Sequence, residues 1–202
     1  MTKIILSGVT AYISTSIDYL IILMLIFYRT KSKKERITVF LGDLLGTTVL
    51  VTLALILAFV LHFIPADWIL GLLGLIPIFM GLKLLTSDDD NTSTIVNQTL
   101  TTHRSLLLNV MIITIATCGA DNIGIYVPFF VTLSISELLM VLLTFVVMLT
   151  IFCYFGYLLV KVPVIANLLE KYGRWITAAV YILLGIYIML ESGTFTKLLT
   201  LL

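Results

Sequence analysis

Two acids stand where an acid is costly. Asp18 lies inside the apolar run from Ile4 to Tyr28, and Asp121 inside the run from Leu106 to Leu133. At the centre of a lipid-spanning helix an Asp costs about 2.5–3.5 kcal/mol on insertion scales, so each is expected to serve a purpose. Ser14 and Thr15 precede Asp18 by four and three residues and therefore share its helical face. Thr117 and Cys118 bear the same relation to Asp121, and Asn122 adds an amide oxygen beside it. Two carboxylates match a divalent cation in charge. The hydroxyls and the amide suit hard ions, whereas the Cys118 thiol shifts the preference towards softer metals.

The residues around Asp121 also predict a broken helix. Gly119 and Gly124 weaken it, and Pro128 cannot donate to the carbonyl of Gly124. In the hydrocarbon region a carbonyl freed in this way is tolerated where it lines a cavity. Asp43 is expected near the inner end of the second apolar run, within reach of water, as a helix cap or as lining for an access path. The glycines beside it, Gly42 and Gly46, are four apart and permit close helix packing. Cys153 reads as a small buried hydrophobe. His62 and His103 fall at a span end and in a loop, and Asp88-Asp89-Asp90 lacks the spacing and glycine of a calcium loop. No nucleophile–base set, His-rich motif or phosphate-binding glycine loop is present, so neither an enzyme nor a resident cofactor is expected.

The composition fixes the solvent. Of 202 residues 60% are hydrophobic and only 11% charged, and the mean hydropathy is +1.18. A soluble domain of this size leaves too much surface in water to hide that apolar content, and a disordered chain carries far less of it. A net charge of +1 argues against nucleic acid as a partner. The chain reads as an all-α polytopic membrane protein with lipid around it. Six transmembrane helices are expected, roughly Ile4–Tyr28, Thr38–Leu61, Trp68–Leu85, Leu106–Leu133, Leu138–Val160 and Trp175–Leu190. The first is a retained span, not a signal peptide, since it carries Asp18 and has no A-x-A-like cleavage site.

Lysines and arginines orient the spans. Ten of them, Arg29, Lys31, Lys33, Lys34, Arg36, Lys83, Arg104, Lys161, Lys171 and Arg174, fall on one side, against Lys3 and Lys197 on the other. The basic side is expected in the cytoplasm and both termini outside. The chain divides into a first three-helix repeat (1–86), a polar cytoplasmic linker (87–105) and a second three-helix repeat (106–202). A shift of 103 positions carries Ser14-Thr15-Ser16-Ile17-Asp18 onto Thr117-Cys118-Gly119-Ala120-Asp121. Three spans is an odd number, so the repeats must be inverted, a pattern of secondary transporters in which the substrate binds near the midplane at the repeat interface.

In these residues the chain resembles the CadD-type cadmium resistance transporters of the lysine-exporter superfamily. The most specific stretch is Thr117 to Pro128, supported by Ser14 to Asp18 and by Gly71 to Pro77. The resemblance implies efflux of cadmium, and of other divalent cations such as zinc, across the bacterial plasma membrane. Two positions depart from the family pattern: Tyr19 stands where many relatives carry a second acid, and Asp43 where many carry a Gln. On this reading Asp18, Asp121, Cys118, Asn122, Ser14, Thr15 and Thr117 hold the cation, and metal exchanges for protons. The other partners are membrane lipid and, left open, further copies of the chain. The rival readings are an exporter of amino acids or other organic solutes on the same fold, and a membrane interaction protein that transports nothing.

Overall fold

In a computed structural model the chain is helical throughout the residues described, which are 2–61, 70–86, 99, 105–161, 163–194 and 197; for Asp18 and residues 163–171 only the backbone is described. The helices are α1 (Thr2–Arg29), α2 (Lys33–Leu61), α3 (Leu75–Thr86, preceded by a 3-10 turn, Leu72–Gly74), α4 (Leu106–Val131), α5 (Ile135–Leu159) and α6 (Pro163–Glu191). No strand occurs among the described residues.

Among the described residues four helices have the length and apolarity to cross a membrane: α2, α4, α5 and the part of α6 from Tyr172 to Glu191. With α1, which is bent, they number five. The apolar segment Leu72–Thr86 is shorter, about 22 Å at 1.5 Å per residue against a hydrocarbon core of about 30 Å. Trp68, expected to open that span, lies outside the described residues, as do His62, His103 and Asp88 to Asp90.

Large apolar side chains point outward as well as inward. Phe59, Phe79, Leu139, Leu143 and Leu183 are each more than 60% exposed. Such a surface is stable only against lipid tails. The interior holds aromatic rings in close contact, among them Tyr126 with Phe145 at 4.7 Å and Tyr12 with Phe145 at 5.6 Å.

Helices neighbouring in sequence are not the ones that pack. The main interfaces pair α2 with α4, α3 with α6 and α1 with α5, and α1 also lies against α6 and α4. Glycines set the closest of them. A methyl group on Gly42 would fall 2.8 Å from Val110 Cβ, and one on Gly46 would fall 2.7 Å from Thr114 Cβ. The glycine pair four apart therefore does bring α2 onto α4, as its spacing implies. In lipid such contact is a main source of helix association, because tails and side chains are equally apolar.

The expected break in the fourth span is not there. α4 runs unbroken from Leu106 to Val131 through Gly119, Gly124 and Pro128. Pro128 lies less than one turn from the C-terminus, where Thr132 donates to the Phe129 carbonyl through both its backbone N–H and its Oγ1. The missing Pro128 N–H thus frees one carbonyl without interrupting a long helix. The sharp bend is in α1, where Thr2–Ile17 and Tyr19–Arg29 meet at 60°. Its cause is local. Ser14 Oγ donates to the Ala11 carbonyl at 2.7 Å, and Thr15 Oγ1 lies 3.1 Å from the Tyr12 carbonyl. Hydroxyls that bond back into the preceding turn compete with the helix ladder and bend it.

Candidate functional site

Burial separates the polar residues into two groups. One is a seam between α1, α2 and α4. On α4, Thr114, Cys118, Asn122 and Tyr126 recur every four residues, form one stripe and are all buried. On α1, Thr15 and Tyr19 face that stripe and pin the helix on either side of its bend. Thr15 Oγ1 lies 2.7 Å from the Tyr126 hydroxyl, and the Tyr19 hydroxyl lies 2.7 Å from Thr114 Oγ1. From α2, Asp43 joins the second contact: Thr114 Oγ1 lies 3.2 Å from Asp43 Oδ1, and the Tyr19 hydroxyl also interacts with the Asp43 carboxyl.

Asp43 corrects the sequence reading. It is not at a wet span end but only 2% exposed. The reason is packing: α1 and α4 close over this face of α2, with Tyr19 and Thr114 at the carboxyl and Gly42 and Gly46 bringing α2 onto α4. Asp43 is not a helix cap. Tyr19 and Asp43 meet in this one contact.

The expected site residues are placed as follows. Ser14 is buried, with its hydroxyl turned to the Ala11 carbonyl. Thr15 is buried in the seam. Thr117 is half-buried, donates to the Ile113 carbonyl at 2.7 Å and lies 3.7 Å from the Cys118 sulfur. Asn122 is 4% exposed, and its Oδ1 accepts no hydrogen bond among the described residues. That is a free acceptor in a dry place, which is costly unless a ligand or proton donor uses it. The side chain of Asp18 lies outside the described residues, and with it the expectation that Asp18 and Asp121 converge.

Asp121 belongs to the second group. It is partly exposed and lines a groove of about 870 Å³ between α2, α3 and α4. Gly119 and Gly124 line the same groove, with Leu57, Met80 and, from the end of α3, Lys83. Among the described residues no three His, Cys, Asp or Glu side chains stand close enough to hold one ion. Glu137, near the end of an apolar run, has structural work instead: it closes a capping box with Ser134 at the start of α5.

Sequence reasoning missed Tyr19, Thr114 and Tyr126. The signal was available as the period-four row of polar residues on α4, which a search for acids alone passes over.

The fold and the site define a polytopic helical membrane protein with a buried carboxyl, hydroxyl, thiol and amide row through its interior. A family model described as cadmium resistance transporter matches residues 12–201, and the chain belongs to that family. It is a membrane transporter of the cadmium resistance class. Searches of curated proteins and of solved structures found no match.

Proposed function

We propose that the protein is a secondary transporter that moves cadmium and related divalent cations out of the cytoplasm, across the plasma membrane, in exchange for protons. The observation that carries this reading is the polar seam itself. It sets a soft thiol, a free amide oxygen and several hydroxyls in a row inside a bundle whose outer face is apolar, where polar groups persist only for a use. The cation would be held by Asp18 and Asp121, with Cys118, Asn122, Ser14, Thr15 and Thr117 as further ligands. The groove lined by Asp121 and Lys83 would be the route to them.

On this reading α1 to α6 are six spans in two inverted repeats, residues 1–86 and 106–202, joined by the cytoplasmic segment 87–105. Packing supports it. Exchanging α1 with α4, α2 with α5 and α3 with α6 turns the α1–α5 pair into the α2–α4 pair and returns α3–α6 to itself. Single contacts follow the same rule. A shift of 104 carries Gly81 onto Gly185, Gly74 onto Ala178 and Ile78 onto Ile182. Accordingly a methyl group on Gly185 would meet the Gly74 carbonyl and Ile78 Cγ1, while one on Gly81 would meet the Ala178 carbonyl (2.7 Å) and Ile182 Cγ1 (2.9 Å). The basic residues support a cytoplasmic position for the connections and an outer one for both termini: Arg36 of α2 and Lys161 after α5 share the ring of Tyr157, at 4.8 and 5.3 Å from its centre.

The test is cadmium tolerance of cells producing the Asp121→Asn variant. Tolerance at the level of cells without the transporter is expected. Wild-type tolerance at equal protein level would reject the assignment.

A further inference from the structure

Asp43 is not among the groups that hold the metal in the proposed exchange, and it is the most deeply buried acid among the described side chains. Its surroundings define what it can bind. Thr114 and Tyr19 touch it; Tyr12 of α1, Tyr126 of α4 and Cys153 of α5 lie within its electrostatic reach, with Cys118 and Asp121 elsewhere on α4, and no Lys or Arg among the described residues acts on it. An ionised carboxyl in such a place, with no cation beside it, is strongly disfavoured. Asp43 must therefore carry a positive ion of its own for part of any cycle. One carboxylate and two hydroxyls, Tyr19 and Thr114, supply a single negative charge and four oxygens. A hard divalent ion requires more charge and about six ligands. A proton requires no more than this.

The partners of Asp43 also connect it to the rest of the seam. Thr114 directs its proton at Asp43 Oδ1 or at the Val110 carbonyl (3.0 Å), so Tyr19 supplies the proton in the Tyr19–Thr114 contact. Tyr19 is the first residue beyond the α1 bend, and Thr15, fixed on Tyr126, lies just before it. A change in the bend moves Tyr19 relative to Asp43.

The geometry points to Asp43 as the proton-carrying group of the exchange, distinct from the metal ligands and coupled to them through the α1 bend. The inference rests on the proton-exchange reading. With Thr114 donating to Asp43 and Tyr19 donating to Thr114, the charged form is at its least costly, and in this arrangement the Asp43 O–H bond breaks and the proton leaves to cytoplasmic water. When α1 shifts and withdraws Tyr19, the carboxyl takes up a proton from the opposite side. One proton crosses inward through this group in each cycle.

The experiment uses the full chain reconstituted in phosphatidylcholine vesicles and cadmium as the probe. Two rates are measured: cadmium accumulation driven by a pH gradient, and exchange of cadmium for cadmium at equal pH. Asp43→Asn, which mimics the protonated acid, is expected to lower driven accumulation at least tenfold while exchange stays within about threefold of wild type. Thr114→Val, which removes one donor and keeps the shape, is expected to shift the pH profile of driven accumulation by about one unit or more. Driven accumulation at wild-type rate in Asp43→Asn overturns the inference alone. So does loss of exchange together with driven transport, with an unshifted profile in Thr114→Val. A wild-type protein that moves no cadmium in either assay ends the functional reading and this inference with it.

Discussion

Gly185 of α6 rests directly on the carbonyl of Gly74, so that two bare backbones meet where α3 joins α6. A methyl group at Gly185 would collide with that carbonyl and fall 2.6 Å from Ile78 Cγ1. Close backbone approach of this kind contributes dispersion contacts that no larger residue can reproduce. Gly185→Leu is therefore expected to lose at least about 1–3 kcal/mol by overpacking and to lower the melting temperature in detergent micelles. Gly119→Ala is the contrast. Its added methyl would reach only Leu50 Cδ2, at 3.7 Å, and alanine favours a helix by up to about 1 kcal/mol. That variant should melt at or above the wild type. Equal melting of Gly185→Leu and wild type would show that the α3–α6 interface does not depend on this approach.

The Thr15–Tyr126 contact, at 2.7 Å, ties α1 to α4 in a buried place. Interhelical hydrogen bonds in membranes contribute about 0.6 kcal/mol on average and up to about 1.7 kcal/mol. A double-mutant cycle on Thr15→Val and Tyr126→Phe, read by unfolding in micelles, is expected to give a coupling in that range. The Tyr126 ring also packs on Phe130 at 5.6 Å and Phe145 at 4.7 Å. Tyr126→Phe keeps those contacts, so the cycle isolates the hydroxyl. Strictly additive losses would mean the two hydroxyls are adjacent without being coupled.

Much of this arrangement is legible in the amino-acid sequence, and the exceptions have physical causes. Apolar runs of about 20 residues identify helices because lipid leaves the backbone no other solution. Gly42 and Gly46 announce the α2–α4 contact because only small residues four apart give a flat strip on one face. The sequence misplaces the break because Gly119, Gly124 and Pro128 are local breakers, and tertiary packing overrides them: Gly124 is held against Met80, and Pro128 falls too near the helix end to matter. The true bend falls just after the back-bonded hydroxyls of Ser14 and Thr15, where hydropathy carries no signal. The burial of Asp43 is hidden because hydropathy locates the apolar run and not the helices that pack over it: α4 covers this face of α2, and Thr114 reaches the carboxyl from there.

Cys118 and Cys153 give a test of where the cation sits. Both thiols are buried, at 5% and 3% exposure, so burial alone does not distinguish them. Both belong to one apolar cluster with Leu23 and Ile26 of α1, but Cys118 lies on the α4 stripe beside Thr117, whereas Cys153 is on α5, which carries none of the expected cation ligands. With single-cysteine variants, modification by a membrane-permeant maleimide is expected to slow at least fivefold at Cys118 when cadmium is present and to stay unchanged at Cys153. Manganese, which has little affinity for thiols, should protect Cys118 less than cadmium does. Equal protection of both thiols would indicate a global change in accessibility and remove Cys118 from the ligand set.

The bend in α1 connects structure to transport most directly, and it can be measured. Leu6 and Leu25 are 65% and 45% exposed and flank the bend, so both accept spin labels at little cost. Nineteen residues of straight helix place their backbones about 28 Å apart, and a bend of 60° at Asp18 shortens this to about 25 Å. If back-bonding by Ser14 and Thr15 produces the bend, the double variant Ser14→Ala, Thr15→Val is expected to lengthen the distance by about 3 Å. Straightening would also swing Tyr19 relative to Thr114 and Asp43, so gradient-driven cadmium transport should fall at least tenfold in the same protein. A distance that lengthens with transport intact would separate the bend from the cycle. An unchanged distance with transport lost would assign Ser14 and Thr15 to the cation directly and leave the bend to be set by packing of α1 on α5 and α6.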